Sequence, residues 1–341
     1  MARVTIKQVA KLAGVSPTAV SLAMNGKSGI SEKTREKILQ IVKQMDFTPN
    51  ESSRRLLFNR TGNIAVLMDR DSSLLDQSFY SELNYQLLQE CEQRKYNVIY
   101  CVATVEEESA VLLPNVIRSR DVDGIIVMGC LNPLIVHKAR SLDFPLIIVD
   151  NYQPEPGVCN IIFDYKQAAV SAMEHLISCG HRNIGYIGSD IGGALKHFSQ
   201  QTFMGYKSVL EKHNLNVPLS WMQMNASDEH TAQTEMNKIL SSANLPTAVF
   251  CSGDIYAIGA MRSIKAHGLR VPQDISIIGI DDILLAEYVE PALTTIRVGR
   301  RALASLAIHQ LVDYIERGTA KDTVICADYL LIERGSVCKL H

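Results

Sequence analysis

Long apolar runs are missing from the sequence, although 47% of its 341 residues are hydrophobic. No uninterrupted apolar stretch reaches the roughly 20 residues that a membrane-spanning helix needs. The first residues lead directly into an amphipathic pattern, without the charged and apolar regions of a signal peptide. We therefore expect a cytoplasmic chain without membrane contact, and the length predicts two or three domains.

Paired cysteines are missing as well. The eight cysteines stand singly, with no CxxC pair and no spacing typical of a metal site. Most of them lie in apolar stretches that are typical of strands or helices. The sequence therefore predicts reduced, buried thiols, and we expect no metal and no other cofactor.

Motifs of catalysis and nucleotide binding are absent too, since there is no GxSxG, HExxH, P-loop or complete GxGxxG motif. The glycine-rich segment 188–193 follows a predicted strand but lacks the Lys-Ser/Thr of a P-loop, so we interpret it as a flexible loop. Cys179-Gly180-His181 indicates the end of a helix, with Gly180 in the left-handed conformation, more than a catalytic pair. An enzyme is therefore disfavoured.

What the sequence does contain begins with two short helices around a tight turn, within residues 5–25. Ile6, Val9, Ala10 and Ala13 form one apolar helix stripe, and a glycine supplies the turn. A serine then caps the second helix, with proline at its first position. This pattern is a helix-turn-helix, and the outward side chains that a DNA major groove would meet are Pro17, Thr18, Ser21, Leu22 and Asn25.

A third helix follows, capped by Ser31, and its apolar residues between Ile38 and Met45 would close a three-helix core. The charge distribution agrees with a DNA-binding role for this part of the chain. Residues 1–60 hold eleven basic and four acidic residues, a net charge of +7, whereas the remainder holds 23 basic and 32 acidic residues, a net charge of −9. The basic segment would attract phosphates, and the acidic remainder would stay off the DNA.

In its order and spacing, the segment from Thr5 to Leu56 resembles the LacI/GalR (lac-repressor) family of bacterial transcriptional regulators, and the similarity extends over essentially the whole chain. The resemblance implies an all-α DNA-binding domain at 1–46, then a hinge helix and linker at 47–61 that folds on DNA. Leu56 matches a leucine that wedges into the minor groove. The DNA-binding residues that we predict are Thr5, Ser16, Pro17, Thr18, Ser21, Leu22, Asn25, Ser31, Thr34, Asn50 and Leu56.

Leu22 departs from the family pattern, because many relatives carry at this position an arginine that contacts guanine by two hydrogen bonds. Leucine would either contact a thymine methyl group or pack against the third helix. We favour the groove contact, since Leu22 shares the polar face with Thr18. The sequence therefore predicts an operator that differs from the common family operator at this base pair.

From about Gly62 the sequence alternates short apolar strands with helices, including predicted strands at 64–68 and 159–163 and a predicted helix at 106–119. This alternation predicts parallel sheets covered on both faces, in two doubly wound α/β subdomains. The residue pattern near the end of the chain predicts a strand at 294–298, a helix at 299–317 and a strand at 323–329.

The family resemblance implies a periplasmic-binding-protein-like core in which the chain crosses three times between the subdomains. The predicted N-terminal core subdomain comprises 62–161 and 292–320. The predicted C-terminal core subdomain comprises 162–291 and 321–338.

Polar residues rich in carboxylates follow the predicted strands of both series, where doubly wound sheets bind their ligands. Such a lining suits a hydroxyl-rich small molecule, and the resemblance implies a sugar-like effector in the cleft between the subdomains. Asp254 is as compatible with a helix cap as with a ligand contact. The effector-binding residues that we predict are Asp71, Phe79, Asp150, Phe163, Gln200, Thr202, Gly253, Asp254 and Asp281.

Two of these positions depart from the family, since Thr202 and Gly253 replace its usual arginine and asparagine. Threonine cannot reproduce a guanidinium fork, so either the effector differs from a typical free sugar or the pocket is degraded.

The sequence thus predicts a repressor that binds a pseudo-palindromic operator as a homodimer. The dimer is favoured over a tetramer because no heptad segment follows the last predicted strand. Effector binding would either weaken or strengthen operator binding. A solute-binding transport protein would share the core, but the basic segment at residues 1–60 argues against it.

Overall fold

The structure is a computed structural model that describes residues 4–24, 26–47, 60–69, 78–106, 110–129, 132–152, 157–192, 196–318 and 323–340. The chain divides into two compact units, residues 1–62 and residues 63–341. The predicted combination of a helix-turn-helix domain with two α/β subdomains is confirmed.

The first unit contains three helices, α1 (Ile6–Ala13), α2 (Pro17–Met24) and α3 (Glu32–Gln44). Gly14 ends α1 with a φ of 71°, so the predicted glycine turn is confirmed. The three helices enclose a small core that also takes up the ring of Phe47. Leu39 was predicted to line this core, but 42% of its surface is exposed.

The second unit contains a seven-stranded sheet covered by helices. Its strands are β1 (Asn63–Asp69), β2 (Asn97–Val105), β3 (Val111–Leu112), β4 (Gly124–Met128), β5 (Leu146–Val149), β6 (Cys159–Phe163) and β12 (Val324–Ala327). Their order is β12-β6-β5-β4-β1-β2-β3, and only the β2–β3 pair is antiparallel. The accompanying helices are α4 (Ser78–Gln93), α5 (Asn115–Arg118), α6 (Pro133–Arg140) and α12 (Arg300–Arg317).

A six-stranded sheet forms the other subdomain. Its strands are β7 (Ile184–Ile187), β8 (Met222–Gln223), β9 (Ala248–Cys251), β10 (Ser276–Asp281), β11 (Thr294–Val298) and β13 (Tyr329–Ile332), in the order β13-β11-β10-β9-β7-β8. Only β13 is antiparallel to its neighbour. Its helices are α7 (Tyr165–Ser178), α8 (Lys196–Lys212), α9 (Glu229–Leu240), α10 (Asp254–Ala266) and α11 (Leu285–Tyr288).

The chain crosses between the two sheets at Asp164, Gly299 and Asp328, so the three predicted crossings are confirmed. Two of these crossings lie side by side, because the Gly299 amide donates a hydrogen bond to the Asp328 carbonyl oxygen (3.3 Å). The three connecting segments are short. They hold the two subdomains together at the edge where the strands of both sheets end.

The predicted subdomain bounds differ from the sheet topology near each crossing: the bound at 161/162 cuts through β6, while β11 and β12 were each assigned to the other subdomain. Strand β6 was predicted to open the second series, yet it lies wholly in the seven-stranded sheet between β5 and β12. Conversely, β11 lies in the six-stranded sheet, and the predicted strand 323–329 splits into β12 and β13 on opposite sides of Asp328. An apolar run identifies a strand, but it does not identify the strand's partner.

The predicted helix at 106–119 is also wrong. The Glu106 amide donates to the Ala110 carbonyl oxygen (2.8 Å), and β3 pairs antiparallel with β2. Among the described residues of 106–119, only the four of α5 are helical, and they begin immediately after Pro114. Proline lacks an amide hydrogen, so it is compatible with a helix start but not with a helix interior.

The predicted helix end at Cys179-Gly180-His181 is confirmed, since Gly180 follows α7 with a φ of 93°. The imidazole of His181 is fully buried and bonds both the Thr247 hydroxyl and the Cys338 carbonyl oxygen, at 3.0 Å each. Among the described cysteines, all of them free thiols, five are buried as predicted, whereas Cys326 is exposed.

Candidate functional site: a helix-turn-helix face and an interdomain cleft

Three hydroxyl side chains stand at the starts of the three helices in the first unit. The Thr5 amide and hydroxyl both donate to the Gln8 side chain (2.7 and 3.0 Å), while Ser16 and Ser31 accept backbone amides of α2 and α3 (3.1 and 3.2 Å). All three are exposed. Because a helix start combines free amides with the positive end of the helix dipole, these positions can bind phosphate.

The outward face of α2 is smaller than predicted. Pro17 and Thr18 are exposed, but Ser21 was predicted to point outward and is 8% exposed. The reason is that Ser21 follows the buried Val20 on a helix whose inner face packs against two neighbours. A major-groove surface on α2 therefore centres on Pro17, Thr18 and the exposed part of Leu22.

The Leu22 side chain is partly packed and partly exposed. Its side chain is half-buried, and its Cδ1 lies 3.2 Å from the place where a Cβ on Gly29 would stand. Gly29, in the loop before α3, is thus one packing partner of Leu22. The remaining part of the side chain is open on the α2 face.

Arg35 holds the turn between α2 and α3 in place. Its guanidinium donates to the carbonyl oxygens of Leu22 (3.3 Å), Ala23 (3.2 Å) and Lys27 (2.7 Å). The sequence analysis counted Arg35 only as part of the basic charge. Nothing in the residue pattern distinguishes it from the exposed lysines around it, so its structural role was missed.

Four predicted site residues lie outside the described residues, namely Asn25, Asn50, Leu56 and Asp71.

The cleft of the second unit lies where the strands of both sheets end. Asp150 follows β5 with a φ of 59°, and its carboxylate accepts hydrogen bonds from the hydroxyls of Tyr80 (2.7 Å) and Tyr165. Tyr80 lies on α4 and Tyr165 opens α7, so the two subdomains meet at this carboxylate.

Aromatic rings surround Asp150. Phe79 packs edge-on against Tyr80 (centroids 5.0 Å apart) and against Phe163 (6.4 Å). Tyr165 in turn packs edge-on against Phe163 (5.9 Å) and against Phe198 of α8 (4.8 Å). The predicted Phe79 and Phe163 are therefore brought together with Asp150, in one wall of aromatic rings.

Arg300 links the two subdomains on the other side of Phe79. It begins α12, and its guanidinium donates to the carbonyl oxygens of Asp281 (2.5 Å) and Asp282 (2.8 Å). The same group pairs with Glu82 of α4 (2.7 Å) and lies 5.7 Å from the Phe79 ring centroid. One side chain thus joins the loop after β10 to the first subdomain.

Asp254 bonds other elements of the second unit through its carboxylate. Its carboxylate accepts the Thr295 hydroxyl (2.5 Å) and the Ile283 amide (3.0 Å), and the residue is fully buried. The N-cap of α10 is Gly253, so Asp254 is no cap of its own helix. It ties α10 to β11 and to the loop after β10, and its contact with an effector stays a prediction.

Gly253 lies beside Asp281. A Cβ at this position would stand 3.5 Å both from Asp281 Oδ2 and from the Tyr256 ring. A side chain at 253 would therefore occupy the space next to that carboxylate, and glycine leaves the space open.

Thr202 is fully buried, and its hydroxyl donates to the Phe198 (3.0 Å) and Ser199 (3.2 Å) carbonyl oxygens. It also lies within hydrogen-bond distance of the Tyr186 hydroxyl (3.3 Å), and its contact with an effector stays a prediction. The short side chain of Thr202 bonds carbonyl oxygens of its own helix, whereas a longer side chain at this position would extend beyond the helix. Gln200 is half-buried and donates to the Ile191 carbonyl oxygen (3.2 Å), which fixes the glycine-rich loop before α8.

The half-buried aspartates of the cleft have raised pKa values. Burial raises the pKa of Asp150 to about 6, although the hydrogen bonds from Tyr165 and Tyr80 oppose the shift. Burial raises the pKa of Asp281 further above its ordinary value, and the charges of Asp254 and Asp150 add to this effect while Arg300 opposes it. Both carboxyl groups therefore lose their protons at a higher pH than an exposed aspartate does.

Several cleft residues were missed by the sequence analysis. Tyr165 stands two residues after the end of β6. It could have been found from the sequence if the search for cleft residues had continued past the end of this strand. Tyr80, Glu82 and Arg300 lie within or at the start of helices, and only the three-dimensional arrangement brings them to the strand ends.

Across the described part of the chain, no helix is both long and apolar enough to span a bilayer. Within the same residues, no group of three or more histidine, cysteine, aspartate or glutamate side chains is arranged as a metal site.

Sequence comparisons match both units. A profile described as bacterial regulatory proteins, lacI family, matches residues 5–50, and one described as a periplasmic binding protein-like domain matches residues 173–337. The ribose operon repressor of Haemophilus influenzae is 30% identical over 338 residues, which covers 98% of this chain and 99% of the relative. The HTH-type transcriptional repressor PurR of Escherichia coli is 32% identical over 339 residues, with 98% and 96% covered.

Structure comparisons agree. A crystal structure of the lac repressor dimer bound to operator and the anti-inducer ONPF matches with a TM-score of 0.83 at 22% identity, covering 99% of this chain and 100% of that one. A LacI family transcriptional regulator from Lactobacillus casei with bound sucrose matches with a TM-score of 0.67 at 26% identity, covering 80% and 99%. The fold of this chain is therefore that of the lac repressor.

Proposed function

Because the chain belongs to the lacI family of bacterial regulatory proteins, we propose that it represses transcription as a homodimer under the control of a small-molecule effector. As a member of this family it is a DNA-binding transcriptional regulator and not an enzyme. The observation that carries the proposal is the combination of a capped helix-turn-helix with a two-subdomain core whose cleft is lined by Asp150, Asp281 and aromatic rings.

Operator binding would rest on two sets of groups in the first unit. The helix starts at Thr5, Ser16 and Ser31 would bind phosphates, joined by Thr34 beside Ser31 and by the exposed lysines. Pro17, Thr18 and Leu22 would contact base edges. A two-fold dimer would place two such units on the half-sites of a pseudo-palindrome.

The hinge at 47–61 and the minor-groove wedge at Leu56 remain predictions, as do contacts from Asn25 and Asn50. We propose that the hinge folds only when two DNA-binding units are correctly spaced. The effector would act by changing that spacing. A regulator of bacterial transcription reaches its operator in the cytoplasm, which is where we place the protein.

The effector would bind in the cleft, between Asp150 with its aromatic rings on one side and Gly253 and Asp281 on the other. Asp71 remains a predicted contact, and Gln200 would act by fixing the loop before α8. Arg300 of the first subdomain donates to the loop after β10 of the second, so a change in the angle between the subdomains would alter its bonds to Asp281 and Asp282. This gives the effector a difference in contacts between two states, as allosteric control requires.

The proposal is tested by measuring operator binding while effectors are added. Fluorescence anisotropy of a labelled operator, selected from random DNA, is followed with a panel of sugars, sugar acids, amino sugars and nucleosides. Release marks an inducer and tightening marks a corepressor. A protein that binds its operator unchanged in the presence of every compound that binds the core would contradict effector control.

A further inference from the structure

The end of α2 is closed by two backbone hydrogen bonds around a left-handed glycine. The Gly26 amide donates to the Ala23 carbonyl oxygen (3.4 Å), and the Lys27 amide donates to the Leu22 carbonyl oxygen (3.1 Å). Gly26 itself has a φ of 64°. This is the bond pattern of a Schellman motif, a common way for a helix to end. The carbonyl oxygens of Leu22 and Ala23 also lie at the negative end of the helix dipole, where a cation is favourable.

Arg35 of α3 supplies that cation. One terminal nitrogen of its guanidinium donates to the carbonyl oxygens of Leu22 and Ala23, and the other donates to that of Lys27. The third nitrogen, Nε, lies 3.5 Å from the Glu32 carboxylate. Each guanidinium nitrogen therefore has a partner within the first unit, and only 15% of the side chain is exposed. The group is placed to join α3 to the end of α2 rather than to meet a phosphate.

The loop that Arg35 joins to α3 also packs against the Leu22 side chain. Gly29 has a φ of 118°, and a Cβ at this position would stand 3.2 Å from Leu22 Cδ1. The backbone of the loop thus borders one side of that side chain. The loop is attached to α3 on both sides of Gly29, at Lys27 through the Arg35 bond and at Ser31 through the N-cap. The direction in which Leu22 leaves α2 therefore depends on where Arg35 holds the loop.

We propose that Arg35 is a positioning residue for base recognition, which holds the end of α2 and the loop 26–29 so that Leu22 meets one defined base pair. This inference rests on the proposed function, in which α2 enters the major groove and Leu22 contacts a base edge. A binding group is effective only when its supporting contacts hold it to within about 0.5 Å. Arg35 would thus control the base preference of Leu22 without touching DNA.

Replacing Arg35 by lysine separates this role from a role of its charge. The guanidinium reaches three carbonyl oxygens from two nitrogens in a rigid plane, whereas an ammonium group donates from a single nitrogen. Arg35→Lys therefore keeps the positive charge and loses part of the connection. Lysine would replace arginine in a contact with phosphate, but it would not replace it as the support of Leu22.

The inference is tested on the full-length protein with an operator that the parent enriches from random DNA. Each base pair of one half-site is substituted in turn, and fluorescence anisotropy gives the Kd for every duplex. The ratio of the Kd values for the substituted and the original duplex is the penalty at that base pair. Leu22→Ala identifies the base pair that Leu22 contacts, because the penalty there falls.

We expect Arg35→Lys to lower the penalty at the same base pair by on the order of threefold or more, and to change the penalties at other base pairs less. The dependence of the Kd on salt should keep its slope, since the number of charges is unchanged. In the Leu22→Ala background, Arg35→Lys should have no further effect on this penalty, which is the coupling expected of residues that act through each other.

Two further variants complete the test. Lys37→Ala removes an exposed charge from the same helix, so it is expected to weaken binding to all duplexes equally and to keep every penalty. Gly29→Ala leaves Arg35 in place but puts a Cβ against Leu22 Cδ1, so it is expected to change the penalty at the Leu22 base pair. Circular dichroism and thermal unfolding show whether each variant keeps the fold of the first unit.

The inference is overturned if Arg35→Lys keeps all penalties, lowers them equally at every base pair, or unfolds the first unit, since Arg35 would then act through its charge or through stability alone. It is also overturned if neither Leu22→Ala nor Gly29→Ala changes any penalty. In these cases the selected operator still supports the proposed function. Failure of the parent to enrich any operator would instead contradict the proposed function itself.

Discussion

At the scale of single residues, Asp150 shows how a cleft can hold an acid at a cost to stability. Its φ of 59° is a conformation that asparagine and aspartate adopt more readily than most residues, and its carboxylate is fixed by two tyrosine hydroxyls. Burial raises the pKa of Asp150 from 3.8 to about 6. The side chain is thus placed for binding rather than for stability.

The pH dependence of unfolding tests this interpretation. Because the unfolded carboxyl ionises at lower pH than the folded one, the contribution of Asp150 to stability falls as pH rises from about 4 to about 6 and is constant above. Asp150→Asn removes this loss, so relative to the parent it should gain up to about 3 kcal/mol between pH 4 and pH 7.5. Urea unfolding at both pH values measures the gain.

Asp143→Asn, with the same change on an exposed residue, is expected to show no such gain. An equal difference between Asp150→Asn and the parent at both pH values would contradict the raised pKa.

A second prediction at the residue scale concerns Leu22. It is partly exposed on α2, where arginine would reach a guanine in the major groove. Leu22→Arg is expected to shift base preference toward guanine at one position per half-site, by about 1–3 kcal/mol. Selection from randomised operators measures the preference, with Leu39→Arg on an exposed part of α3 as the control. An unchanged base preference would show that residue 22 does not contact bases in the major groove.

Residue roles could be predicted from sequence where they are local. The helix caps at Ser16 and Ser31 follow from residue type and position, and the structure has both. The roles of Tyr80, Arg35 and Arg300 could not be predicted, because each depends on partners that lie far away along the chain. The hydrogen bonds of Thr202 and Asp254 with residues of the second unit could not be predicted from the sequence either.

At the scale of elements, the start of α12 is the most constrained helix end in the cleft. A cation is unfavourable at a helix N-terminus because of the helix dipole, yet Arg300 stands there and bonds two carbonyl oxygens and Glu82. Those acceptors offset the unfavourable position. The element therefore connects the crossing at Gly299 to the loop after β10.

Removing this connection should destabilise the core. Arg300→Ala leaves Glu82 half-buried without its ion pair and two carbonyl oxygens without donors, so we expect a loss of about 2–4 kcal/mol in the free energy of unfolding. Arg301→Ala alters the neighbouring exposed arginine and should change it by less than about 0.5 kcal/mol. Urea denaturation compares the two, and equal losses would contradict the assignment.

Most elements could be predicted from the periodicity of apolar residues, because buried parallel strands are almost wholly apolar. The pairing of those strands could not. Strand β6 and strand β12 are neighbours in one sheet although about 160 residues separate them, and no local pattern encodes such a contact. The prediction of a helix at 106–119 was wrong because Pro114, which lacks an amide hydrogen, is compatible with a helix start but not with a helix interior.

At the scale of the whole molecule, the chain consists of two separate compact units with opposite net charge. Each has its own hydrophobic core, and the core of the first is small. The larger unit should therefore fold without the smaller one. The division assigns DNA binding to residues 1–62 and effector binding to residues 63–341.

Deleting residues 1–62 separates these roles. The remaining chain is expected to unfold in one cooperative transition and to keep its binding of core ligands, while losing all affinity for the operator. Circular dichroism, calorimetry and anisotropy measure the three properties. Residual sequence-specific DNA binding by the shortened chain would show that the division of roles is wrong.

The central claim is that the full-length chain recognises a specific operator, and selection from random DNA tests it most directly. Binding to the selected DNA is then compared with binding to a scrambled duplex at one salt concentration. We predict a pseudo-palindromic site, bound on the order of 10³-fold or more tightly than the scrambled sequence. Failure to enrich any sequence, or equal binding to both duplexes, would contradict the account.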